Sequence, residues 1–198
     1  MIRLQEALIR LDVDLRATGL QWALVGGFAV SLRVEPRTTR DLDVVLAVSG
    51  DREAERAALS LRLRGYRDHP AGAAIEAQDG QLSTIRLISP LEDVNDAGIP
   101  VDLLVASSGV ETEIVAAANL VDIGARLFIP VARSGHLLAL KVLAGRVKDQ
   151  TDAQALLRDM TPAELQLARE TLDLIEKRGF HRGKNLLEEL ARIQQMPE

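Results

Sequence analysis

Apolar residues follow two rhythms along this chain, and the change falls near residue 132. Before it, short apolar runs broken by glycine and proline alternate with amphipathic stretches. After it, every apolar pattern is helical. Leu4, Leu8, Leu11, Val13 and Leu15 recur among charges at roughly helical spacing, which predicts a helix over residues 2–18 ended by Gly19. Residues 20–25 form an apolar strand that Gly26-Gly27 interrupts. Residues 28–32 read as a short buried helix, 34–40 as a charged loop around Pro36, and 41–48 as a second strand. Residues 51–64, with Ala54, Ala57, Ala58 and Leu61 on one face, predict an amphipathic helix that Gly65 ends. Residues 66–69 and 74–77 read as edge strands, and Asp79-Gly80 as a hairpin turn. Residues 82–88 and 101–105 read as strands on either side of an acidic loop. A helix over 110–119 and a hairpin over 120–131 around Gly124 complete this part. Beyond Arg133, helices are predicted at 134–147, 149–159, 162–178 and 184–195. Thr161, Pro162 and Glu164 supply the cap, first-turn proline and third-position acid of one of them. The expected architecture is α/β (α+β): a small mixed twisted sheet with helices on one face, joined to a C-terminal helical bundle. The division runs 1–132 and 133–198, with the halves packed as one unit.

Composition narrows this picture. A chain of 198 residues, 47% hydrophobic, can bury a real core, and with only 3% aromatics that core must be aliphatic. The net charge of −5 argues against a broad basic surface for duplex nucleic acid, though not against a local basic cleft. The absence of cysteine excludes disulfides and thiolate metal sites. Charge within the first residues argues against a signal peptide, and no apolar run reaches the roughly 18–20 residues of a membrane span. A cytoplasmic protein without membrane contact is expected.

The chemistry concentrates in one supersecondary unit. Gly26 and Gly27 follow an apolar strand and precede a helix, where main-chain N–H groups and the positive helix end can hold phosphate oxygens. Asp41 and Asp43, two apart on a strand, face the same side. Two carboxylates so placed imply a cation between them, a catalytic base, or a solvated strand end. Asp102 is the only charge in an apolar strand and is costly to bury alone. It either marks a strand end or, if its strand lies beside that of Asp43, completes a three-carboxylate cluster able to hold two Mg2+ ions. Arg37 and Arg40 flank the acidic pair, as phosphate-neutralising groups or as a solvated loop. Asp149 reads as a helix cap, with Asp152 on the same face. His136 and Trp22 read as structural, and no histidine spacing suggests zinc.

The order Gly26-Gly27, thirteen residues, Asp41-Leu42-Asp43 and later Asp102 resembles the DNA polymerase β-like nucleotidyltransferase superfamily. Gly-Gly-Phe-Ala followed by Arg37-Thr38-Thr39-Arg40-Asp41-Leu42-Asp43, with the helical stretch from His136 through Lys141 to Asp152, is similar to its AbiEii-type minimal group. Several of that group are toxins of toxin–antitoxin pairs. The resemblance covers roughly residues 20–157 and implies a sheet of the nucleotidyltransferase type. It also implies Mg2+-dependent (or Mn2+-dependent) transfer of a nucleoside monophosphate from an NTP, ATP among them, to a hydroxyl. The acceptor would be a tRNA 3′ end, a protein or a small molecule, and a cognate antitoxin would be a partner. By the resemblance Asp41, Asp43 and Asp102 ligate two metal ions, and Asp102 helps deprotonate the acceptor. Gly26, Gly27, Arg37, Thr39, Arg40 and Asp152 belong to the nucleotide site, and Lys141 reaches a phosphate from the helical half. The residues alone leave Lys141 equally readable as a lysine that snorkels from an apolar helix face. Gly-Gly stands where much of the superfamily has Gly-Ser, which removes a hydroxyl contact to phosphate. The rival reading is a non-catalytic nucleotide- or partner-binding module. Such a module would be expected to have lost one of the three carboxylates, and all three positions are filled.

Overall fold

The computed structural model describes residues 2–34, 38–76, 82–90, 98–124 and 126–196. The Asp79-Gly80 turn, Arg37 and most of the acidic loop before Pro100 lie outside them. Strand β1 (Trp22–Val25) leads directly into helix α2 (Gly26–Arg33), so the glycines open the helix and do not precede it. Strand β2 (Leu42–Leu46) starts one residue after Asp41. Strands β3 (Arg67–Asp68), β4 (Ala74–Glu76), β5 (Leu82–Ile88), β6 (Pro100–Leu104), β7 (Asn119–Asp122) and β8 (Phe128–Val131) complete one sheet. Its order is β3-β5-β6-β2-β1-β8-β7, with β4 also on β5. It is mixed: β2 with β6 and β1 with β8 run parallel, the other pairs antiparallel.

Helix α1 (Ile2–Arg16) buries Leu4, Leu8, Leu11 and Leu15 at spacings of four, three and four. Val13, expected among them, falls off that stripe and is 59% exposed. Helix α3 (Asp51–Arg62) buries Ala54, Ala57, Ala58 and Leu61 as its pattern predicts. Helix α4 (Glu111–Ala116) is shorter than the 110–119 expected. Asn119 is already paired with Val131 in the β7–β8 hairpin, and a residue held in a ladder cannot extend the helix.

From Ser134 onward the chain is helical. Helices α5 (Ser134–Ala144), α6 (Val147–Arg158), α7 (Pro162–Lys177) and α8 (Leu186–Gln194) fall within two or three residues of the expected bounds. The Thr161 hydroxyl accepts from the Glu164 amide, as expected of the cap. The Glu164 carboxylate serves another helix: it accepts from the Gly135 amide at 2.7 Å and pairs with Arg133, also at 2.7 Å. Glu164 thereby caps the start of α5 and ties α7 to it. Gly135 permits that approach, since a methyl group there would strike the Glu164 carbonyl. Buried side chains from the sheet and from all four C-terminal helices belong to one apolar core, which includes Trp22.

Candidate active site

Register brings the predicted carboxylates together. Val25 pairs with Asp43, Asp43 with Asp102, and Asp102 with Arg86, a single row across β1, β2, β6 and β5. Cross-strand partners share a face, and neighbouring strands are about 4.8 Å apart, so Asp43 and Asp102 stand side by side. The Arg86 Nε lies 3.3 Å from Asp102 Oδ1. The sequence offered little sign of this cation beyond its place in the β5 alternation, because its partner is set by register.

Gly26 begins α2 directly over this pair. Its φ is +67°, and a methyl group at its Cα would fall on the Asp43 carboxylate. Both conformation and space therefore exclude a side chain. Val25 at the N-cap position has no side-chain bond to the start of α2, whose first amides and positive helix end lie beside the carboxylates. Gly27 is buried in the helix, and its carbonyl accepts from the Ser31 hydroxyl at 3.0 Å.

Burial pushes the Asp43 carboxyl up to about 6, the charges of Asp41 and Asp102 push the same way, and Lys141 and Arg146 oppose them. Asp41 differs. Burial opposes its ionisation too. The Thr39 hydroxyl, donating to Oδ1 at 2.8 Å, together with Lys148 and local amides, outweighs burial and leaves Asp41 below its ordinary range. Thr39 is thus placed to hold Asp41. Arg40 is exposed, and Arg37 lies outside the described residues.

Lys141 is buried, between Asp149 at 3.1 Å and Asp152 at 2.8 Å. It does not snorkel to solvent. Asp149 is the third residue of α6 and accepts from the Arg146 amide, the capping role expected of it. It also accepts from Arg146 Nε at 2.6 Å. Burial raises the Asp149 carboxyl, but hydrogen bonds from Arg146 and the Lys141 charge leave it lowered. The segment from Lys141 to Asp152 is therefore an ion-paired brace with two cations near Asp43.

A cleft of about 1160 Å3 opens here. Gly26, Asp43 and Asp102 line its sheet side, and Lys141, Arg146 and Asp149 its helical side. The loop between α7 and α8, including Arg178, Phe180 and Arg182, lines it as well, a contribution the sequence reading did not assign. Its only local signal is a run of cations between two helices. Among the described residues, no three acidic or histidine side chains are already gathered around one point in ligand geometry. Asp41 is turned to Thr39 and Asp102 toward Arg86. The donor set is nonetheless oxygen-only and anionic, and Asp43 is held against its own charge. Such a site suits a hard divalent cation.

Among the described residues, no helix is long and apolar enough to cross a membrane. No curated protein sequence matches the chain significantly. Solved structures share its fold, among them the following two. An antigenic nucleotidyltransferase-like protein from Paracoccidioides brasiliensis aligns over 96% of this chain and 93% of its own at 17% identity, with a TM-score of 0.56. The antibiotic-resistance factor ANT(2″)-Ia aligns over 91% of this chain and 100% of its own at 13% identity, with a TM-score of 0.51. The family model described as nucleotidyl transferase AbiEii toxin, type IV toxin–antitoxin system, matches residues 11–197, and the chain belongs to that family of nucleotidyltransferases.

Proposed function

We propose that this nucleotidyltransferase transfers a nucleoside monophosphate from an NTP to a hydroxyl acceptor, as the toxin of a cytoplasmic toxin–antitoxin pair whose antitoxin is its protein partner. The carrying observation is the pairing of Asp43 with Asp102 beneath Gly26, inside a cleft walled by Lys141 and Arg146. Residues 1–132 supply the transfer chemistry, and residues 133–198 form a helical half that closes over it.

In this reading Asp43 and Asp102, joined by Asp41, hold divalent cations, Mg2+ or Mn2+. Bound there, such cations would supply charge neutralisation at the phosphates and a lowered pKa for the acceptor hydroxyl. The first amides of α2, at Gly26 and Gly27, bind phosphate oxygens. Arg146 adds positive charge opposite, and Lys141, oriented by Asp149 and Asp152, fixes the helical wall at the phosphates. Arg40 and Arg37, which precede Asp41 in the chain, add positive charge for the incoming nucleotide. The acceptor oxygen bonds to the α-phosphorus, the bond from that phosphorus to the bridging oxygen breaks, and pyrophosphate leaves. The proton passes to the Asp102 carboxylate, whose charge Arg86 steadies. Alignment of the entering and leaving groups supplies most of the acceleration.

The test is incubation of the full chain with each α-labelled NTP, Mg2+ or Mn2+, and total tRNA or cell lysate. Transfer of label and release of pyrophosphate are expected, and both are lost in Asp102→Asn. No label under any condition, with no Mg2+-dependent rise in melting temperature on adding NTP, would leave a binding module instead.

A further inference from the structure

The chain between α7 and α8 reads Arg178-Gly179-Phe180-His181-Arg182-Gly183-Lys184 and bridges two walls of the cleft. On one wall, Arg178 donates to the Gly109 carbonyl and Arg182 to the Ser107 carbonyl at 3.0 Å. On the other, Lys184 donates to the Leu143 carbonyl at 2.9 Å, over the end of α5. Arg178 is matched by Glu113 at 2.6 Å. Nearby Glu111 is buried and accepts from the amides and hydroxyls of both Ser107 and Ser108. Arg182 and Lys184 remain. Among the described residues neither has a carboxylate within ion-pair distance, and their bonds go to main-chain carbonyls. A phosphate is a far stronger partner for a guanidinium than a carbonyl is.

We propose that the 178–184 loop is a second anion subsite of the cleft, for a phosphate carried by the acceptor, with Arg182 as its principal contact. The assignment to the acceptor rests on the transferase reading. Ser107 lies five residues beyond Asp102 and past the end of β6, which sets Arg182 further along the cleft than the carboxylate pair. The phosphates of the nucleotide are claimed at Gly26, Lys141 and Arg146, so an anion at Arg182 belongs to another molecule. Leu104, Leu140 and Phe180 also line the cleft, apolar surface that suits a sugar or base. A polycationic acceptor would meet positive charge at this end. Arg182 also holds φ +55°, beside Gly183 at +73°, a conformation in which glycine would be easier. A purely structural loop would gain from glycine there.

The test uses the full chain in metal-free buffer with EDTA, which keeps phosphates from the carboxylate end. Fluorescence anisotropy follows a labelled single-stranded oligoribonucleotide of mixed sequence, with ribose 5-phosphate as competitor. Arg182→Gly should weaken binding about tenfold and flatten its salt dependence by roughly 0.7 in log–log slope, one phosphate contact on a single strand. Arg182→Lys should retain most of the affinity. The Arg182→Gly melting temperature should hold or rise, and the NTP-plus-Mg2+ thermal shift should be the same in all three proteins. Competition by ribose 5-phosphate supports a small phosphorylated acceptor, and its failure to compete supports a strand. Either carries the proposal. Unchanged binding in Arg182→Gly overturns it, as does a melting temperature several degrees lower that Lys does not restore, or loss of the NTP shift. If the wild type shows no NTP shift, the transferase reading fails, and the anisotropy still decides whether the loop binds phosphate.

Discussion

Asp43 keeps its charge against burial and beside two other carboxylates, and each neighbour explains part of what its substitution should do. Its folded carboxyl titrates near 6, above the ordinary 3.8. At this group the native state therefore binds more protons than the unfolded chain between those values, so its own contribution to metal-free stability falls as pH rises through that window. Asp43→Asn should raise the melting temperature at pH 7.5 in EDTA, read by scanning calorimetry, while nucleotide transfer falls by two or more orders of magnitude. A lower melting temperature would mean that the carboxylate holds the fold together. Gly26→Ala should show the opposite balance. The left-handed φ costs about 1–2 kcal/mol with a Cβ present, and the methyl group would displace the Asp43 side chain. Lower stability and lost Mg2+-dependent NTP binding are expected together, and an unaltered NTP thermal shift would refute the role of that turn. The glycine pair and the Asp-x-Asp spacing were legible because they are local. Arg86 was not, because the residue opposite Asp102 is decided by strand order.

At the level of elements, the start of α5 depends on groups from elsewhere. Glu164 caps it through the Gly135 amide and pairs with Arg133. Glu164→Ala should cost about 1–3 kcal/mol in urea unfolding, with partial recovery in Glu164→Gln, which still offers an acceptor to the amide. His136, one residue on from Gly135, is buried, and among the described residues its Nδ1 has no hydrogen-bond partner. Burial, then the Arg133 charge, lowers its pKa to about 4, while Glu164 and Glu113 pull upward. The unfolded histidine takes up its proton near 6.5, so the stability gained from keeping it neutral is complete above 6.5. That gain shrinks as pH falls toward 4. Its full size is on the order of 3 kcal/mol. His136→Leu should remove this rise, so that between pH 4 and 6.5 the variant's stability climbs less with pH, or falls more, than that of the unmodified chain, and an unchanged slope would place the titration elsewhere.

Across the whole molecule, one apolar core joins the sheet to the C-terminal helices. A single calorimetric transition is expected for the full chain, and two separated transitions would show that the halves fold independently. Within the helical half, Lys141 ties α5 to α6 through Asp149 and Asp152. Removing it by Lys141→Met leaves Asp149 and Asp152 buried with less compensation and should cost about 3–5 kcal/mol. By itself the sequence determined the change from strand to helix rhythm, the inward stripes of α1 and α3, the Thr161 cap, and the glycine and Asp-x-Asp signals. Each is a periodicity or a contact within a few residues, written directly in the order of side chains. Only the tertiary structure decided that Asp102 stands beside Asp43, that Arg86 flanks it, that Lys141 is sealed between two aspartates, and that the 178–184 loop borders the same cleft. Those meetings join residues far apart in the chain, and strand order and helix packing, which minimise exposed apolar surface over the entire fold, choose among the many pairings that local pattern allows.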